Sequence, residues 1–85
     1  MPQSVKTPAY GRLLALLIDL RRAAGVSQTE LADRLGKSQP WVSYAERGVR
    51  RLDVIEFYAW VRALGADPSE VFRQLTDGLP PYVAI

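Results

Sequence analysis

Apolar residues recur along this chain in five bursts at helical spacing, each closed by a break that contains glycine. In the first, Leu13, Leu17 and Leu20 form an apolar face that stops at Ala24 and Gly25, and Thr7 before Pro8 supplies an N-cap with proline at N1. The second opens on Ser27-Gln28-Thr29-Glu30, which has the S-x-x-E form of a capping box, carries Leu31, Ala32 and Leu35, and ends at Gly36. The third holds Val42 and Ala45 and ends at Gly48. Its cap is Ser38 or Gln39, and because proline pushes the preceding residue away from the α region, Pro40 favours Gln39.

The fourth begins with a second capping box, Asp53-Val54-Ile55-Glu56, flanked by Leu52 and Phe57 as a hydrophobic staple. Phe57, Trp60, Val61 and Leu64 follow at i, i+3, i+4 and i+7 and are expected in the core. Asp67 and Pro68 start the fifth, with Val71, Phe72 and Leu75 apolar before Asp77-Gly78. No stretch alternates over the length of a strand, so the expected fold is all-α, a compact bundle of five helices. Two prolines bar a helix across the final LPPYVAI, which is left as a tail, an extended arm or a strand completed by another subunit.

Eighty-five residues suffice for one core and not two. With no cysteine and no histidine, disulfides, thiolate metal sites and the commonest general base are excluded; no cofactor, metal or catalytic residue is expected, and the chain is read as not an enzyme. The longest apolar run, Leu13 to Ile18, is far short of the roughly 20 residues that span a bilayer, and no leader-like segment opens the chain. No membrane association and a cytoplasmic location are the expectation. The net charge is only +2, but seven basic residues (Arg21, Arg22, Arg34, Lys37, Arg47, Arg50, Arg51) face three acidic ones between Arg21 and Arg51. A basic middle of this kind attracts a polyanion, which makes nucleic acid the leading partner class over a merely solvated face.

Two short helices joined by a turn with glycine are the makings of a helix-turn-helix. Counting from Gln28, Ala32 is fifth, Gly36 ninth and Val42 fifteenth. With SQTELADRLG and the closing Glu46-Arg47-Gly48, the stretch from about Leu13 to Leu75 resembles the Cro and phage-repressor, or xenobiotic-response-element, family of DNA-binding domains. The resemblance implies a lambda-repressor-like domain over residues 7–78 with its motif at 28–47, a flexible N-terminal arm at 1–6 and an apolar tail at 79–85. It implies a sequence-specific regulator of transcription, most economically a repressor, that binds double-stranded operator DNA, an inverted repeat, as a homodimer. An antitoxin or a restriction-modification controller acting on its own operon is the alternative within DNA binding, the antitoxin with a toxin partner. A protein-interaction module that keeps the fold without reading DNA is the alternative outside it.

Carried onto this sequence, the family pattern puts Gln39, Pro40, Ser43 and Tyr44 at base edges, and Gln28, Lys37, Ser38, Trp41, Arg47, Arg50 and Arg51 at phosphates. Trp41, one residue before Val42, is expected over the scaffold, from where its indole N–H is a phosphate donor. Arg21 and Glu46 match an internal ion pair between the first and third helices. Leu14, Leu16 and Ile18 stand where relatives often carry charge, and with Leu13, Leu17 and Leu20 assigned to the core they are surplus apolar surface. They are expected under the N-terminal arm, under the tail with Tyr82 and Val83, or in a dimer or partner contact.

Overall fold

The side-chain hydroxyl of Thr7 accepts the Tyr10 N–H and starts α1, Pro8–Ala23, with proline at its first position. Four more helices follow in this computed structural model, which describes residues 7–85: α2 (Gln28–Leu35), α3 (Gln39–Glu46), α4 (Val54–Ala63) and α5 (Pro68–Asp77). The expected N-terminal arm, residues 1–6, lies outside the described residues. Both capping boxes form, Ser27 with Glu30 on α2 and Asp53 with Glu56 on α4, so each helix start has its orphan donors met by its own side chains. Gly36 ends α2 at φ 69°, and the Lys37 N–H returns to the Ala32 carbonyl at 2.9 Å. That left-handed turn, cheap only for glycine, swings the chain from α2 into α3.

Ser38, not Gln39, caps α3. Its hydroxyl accepts the Trp41 N–H at 3.3 Å while its backbone is extended, so Gln39 becomes the first helical residue and Pro40 the second, where no intrahelical N–H is lost. The effect of proline on its neighbour is outweighed by a serine hydroxyl one residue further back.

Leu17, Val26, Leu31, Ala32, Val42, Ala45, Trp60, Val61 and Val71 form the core, with α2 and α3 packed most extensively on each other. Ala32 and Val42 are wholly enclosed, so the two helices of the motif cross at close range. On α1 the buried stripe runs Tyr10, Leu14, Leu17, Arg21, and Leu13 and Leu20 are only half-buried. Leu14 is therefore core-facing and not surplus surface, which corrects the sequence expectation. It turns toward the end of α3 and Val49, while Leu13 turns toward α4 and α5. Leu16 and Ile18 are half-buried, and Tyr82 and Val83 are exposed.

The tail does not cover this face. It runs beside Pro8, Ala9 and Arg12, at the opposite end of α1 from Ile18. Its course follows from Arg12, whose Nε and Nη2 donate to the Leu75 and Gln74 carbonyls at 3.1 and 2.7 Å and close the C-terminus of α5. The guanidinium lies so close to Gly78 that a Cβ there would overlap it. Arg34 serves α4 in the same way, donating to the Ala63 carbonyl at 2.9 Å.

Candidate nucleic-acid interface

α3 buries Val42, Ala45 and Glu46 and presents the opposite side to solvent. Gln39, Pro40, Tyr44 and Arg47 are exposed there and Ser43 half-buried, so the four residues assigned to base edges share one face. Arg47 lies along that face, with Nε donating to Ser43 Oγ at 3.3 Å and its guanidinium 5.2 Å from the Tyr44 ring centre.

Beneath this face runs a chain of polar contacts that begins in the core. Arg21 Nε and Nη2 donate to the two carboxylate oxygens of Glu46 at 2.6 and 3.0 Å, and Nη1 donates to the Val26 carbonyl at 2.9 Å. Both side chains are nearly enclosed, and a bidentate geometry with a third bond offsets the desolvation such a pair suffers. Glu46 Oε1 also accepts Gln28 Nε2 at 2.8 Å, and Gln28 Oε1 in turn accepts Gln39 Nε2 at 2.8 Å. An ionised carboxylate can only accept, so it draws the NH2 end of Gln28 inward and leaves the carbonyl facing out, and that carbonyl selects the NH2 end of Gln39. The amide of the first residue of α3 thus takes its orientation from a buried ion pair.

Flanking cations divide into two groups. Arg50 is held by Glu56 through two bonds of 3.0 and 2.8 Å and also donates to the Arg51 carbonyl. The Arg50 guanidinium keeps the Glu56 carboxyl below the ordinary carboxylate range, aided by the Asp53 N–H, and the same contact raises Arg50. Arg21 and Arg34 are likewise committed to internal acceptors. Lys37 and Arg50 stand 5.4 and 4.8 Å from the centre of the Trp41 ring, which itself packs half-buried against Trp60. Trp41 is thus a platform for cations beside α3. Arg51 lies over the Tyr10 ring at 4.3 Å, and the Tyr10 hydroxyl accepts the Leu52 N–H at 2.7 Å, fixing the loop after α3 against α1.

Two features of this region escaped the sequence reading. The link from Gln28 to Glu46 joins residues eighteen apart, and nothing local signals it beyond a glutamine opening α2. Arg50 is neutralised by Glu56 and Arg34 is tied to the end of α4, which narrows the set of cations open to a partner, and only the Asp53-x-x-Glu56 box hinted that an acid would sit near Arg50.

Five helices with a glycine-turned pair, a buried ion pair behind it and a polar exposed face on α3 define a helix-turn-helix domain of the Cro type. The chain belongs to the helix-turn-helix family of transcriptional regulators, which bind DNA and are not enzymes: the family model described as a helix-turn-helix domain matches residues 10–73. It is 42% identical over 61 residues to the uncharacterized HTH-type transcriptional regulator y4dJ of Sinorhizobium fredii, covering 72% of this chain and 78% of that protein. Among solved structures it is similar to an XRE-family like protein from Pseudomonas syringae pv. tomato, with 47% identity, a TM-score of 0.81 and coverage of 85% of this chain and 88% of that one. It is also similar to the clp gene regulator ClgR of Corynebacterium glutamicum, with 27% identity, a TM-score of 0.70 and coverage of 84% and 92%. Among the described residues no helix is long and apolar enough to cross a membrane.

Proposed function

We propose that the chain represses transcription by occupying an inverted-repeat operator as a homodimer, with α3 in the major groove and Gln39 reading adenine. The observation that carries this reading is the oriented amide of Gln39. One N–H of Nε2 is spent on Gln28, which leaves one donor and one carbonyl acceptor facing out. Adenine offers N6–H2 as donor and N7 as acceptor in the major groove and matches that pair, whereas guanine offers two acceptors and does not. Pro40, Ser43 and Tyr44 supply the neighbouring contacts on the same face, and Lys37, Ser38, Trp41, Arg47 and Arg51 reach phosphates on either side. Gln28 meets a phosphate at the start of α2. Arg50, tied to Glu56, holds the loop that presents Arg51.

Selection of duplexes from a random pool at physiological salt tests this. The expected result is an inverted repeat with half-sites about 34 Å apart and an adenine lost from the consensus with Gln39→Ala. Survivors without a shared sequence would refute the reading. A protein partner, such as the toxin of an antitoxin pair, would show itself by complex formation that persists as salt rises.

A further inference from the structure

Gln39 is exposed, and the rotatable bonds of a glutamine ordinarily let its amide swing clear of an obstacle. Here the Nε2 end is tied to Gln28 Oε1 at 2.8 Å, Gln28 Nε2 to Glu46 Oε1 at 2.8 Å, and Glu46 to Arg21 by two bonds in the core. Withdrawal of the amide therefore breaks this series of bonds. The backbone beneath is equally set, because Ser38 caps the helix and Pro40, with φ fixed by its ring, follows Gln39 directly. What remains outward is one N–H and the Oε1 carbonyl, both held in place.

We propose that this amide distinguishes adenine from the same adenine methylated at N6, so that methylation of the contacted base weakens binding; the inference rests on the reading of adenine by Gln39 given above. In a duplex, adenine N6 keeps one hydrogen on thymine and turns the other into the major groove, where Gln39 Oε1 accepts it. A methylated N6 has a single hydrogen, and the base pair retains it. The methyl group then takes the groove-facing position, so Oε1 loses its donor and meets a methyl carbon, while Nε2 still reaches N7. Turning the amide over gives no relief. Its NH2 would then face the methyl group and its oxygen the lone pair of N7, and the bond to Gln28 opposes the turn. Stepping aside is opposed by the same bond. An acceptor left without a donor once water is excluded lowers affinity by a factor of about 10–100. One operator thus has two states that this side chain tells apart, with no change in base sequence.

Synthetic operators carrying N6-methyladenine test this, with the modification at the adenine that selection shows to depend on Gln39. In anisotropy titrations the unaltered protein should bind the modified half-site about 10–100-fold more weakly. The same modification outside the site should change affinity within about twofold. Gln39→Ala should bind modified and unmodified duplexes within about twofold of each other, which separates the contact from any effect of methylation on the duplex itself. Gln28→Ala, which frees the Gln39 amide to step aside, should show an intermediate loss of roughly threefold. Equal or tighter binding of the modified operator by the unaltered protein would overturn the proposal, as would a loss that Gln39→Ala shares in full. Full sensitivity in Gln28→Ala would overturn the part assigned to the anchor. Failure of the underlying reading shows earlier and differently, as a selected site with no adenine that depends on Gln39, and disposes of both.

Discussion

Arg21 and Gln28 share one oxygen of Glu46: Oε1 accepts Arg21 Nη2 at 3.0 Å and Gln28 Nε2 at 2.8 Å. Stability and amide orientation therefore meet at a single atom, and the two separate under mutation. Glu46→Ala leaves a buried guanidinium without its partner and should cost about 3–5 kcal/mol in urea denaturation. Replacing both members with Arg21→Met and Glu46→Leu should recover most of that loss, because no charge is then left buried.

Gln28→Ala should act in the opposite way. It removes bonds at a half-buried position and should change stability by about 1 kcal/mol, yet it frees the Gln39 amide to turn over. The preference for adenine over guanine at the contacted base pair, about 1–3 kcal/mol when the amide is fixed, should largely vanish in competition binding.

Salt dependence separates the cations. Lys37→Ala and Arg47→Ala should each reduce the slope of log affinity against log salt by about 0.9, one phosphate apiece. Arg34→Ala should leave the slope as it is and instead lower the melting temperature, since Arg34 donates to the end of α4. Anisotropy titrations across a salt series measure both.

The Arg50 guanidinium, then the Asp53 N–H, holds the Glu56 carboxyl low in the folded state. A depressed carboxyl contributes stability that is fully present above the unfolded value of about 4.3 and is lost as pH falls through the lower folded value. Glu56→Gln should therefore flatten the acid limb of the stability curve below that pH. Denaturant midpoints taken from neutral pH down to pH 3 provide the comparison.

The helix order and four of the five caps were legible because each is written within a few residues: Thr7-Pro8, Ser27-x-x-Glu30, Asp53-x-x-Glu56, Asp67-Pro68. On α1 the buried stripe keeps Leu17 but takes Leu14 and Arg21 in place of Leu13 and Leu20, because apolar residues fill every place from Leu13 to Ile18 and periodicity then selects no face. The buried Arg21 completes the true stripe and no hydrophobic pattern would include it. Exposure of Val54 and Ile55 was illegible for a related reason: the capping box predicts where α4 starts and carries no information on which of its first residues stay exposed. Arg12 reaches carbonyls more than sixty residues away, a contact set by packing alone.

That last contact has a mechanical side. Arg12 clamps the end of α5 to the first turns of α1, and residues 79–84 continue beside Pro8 and Ala9. The chain accordingly enters and leaves the folded unit at one place, like a loop tied at its neck. A short linker from the tail to the start of α1 would close the ring, and a chain cut elsewhere on the surface would keep the same neighbours. Two such units can also be strung on one strand without either having to unwind its first or last helix to reach the next.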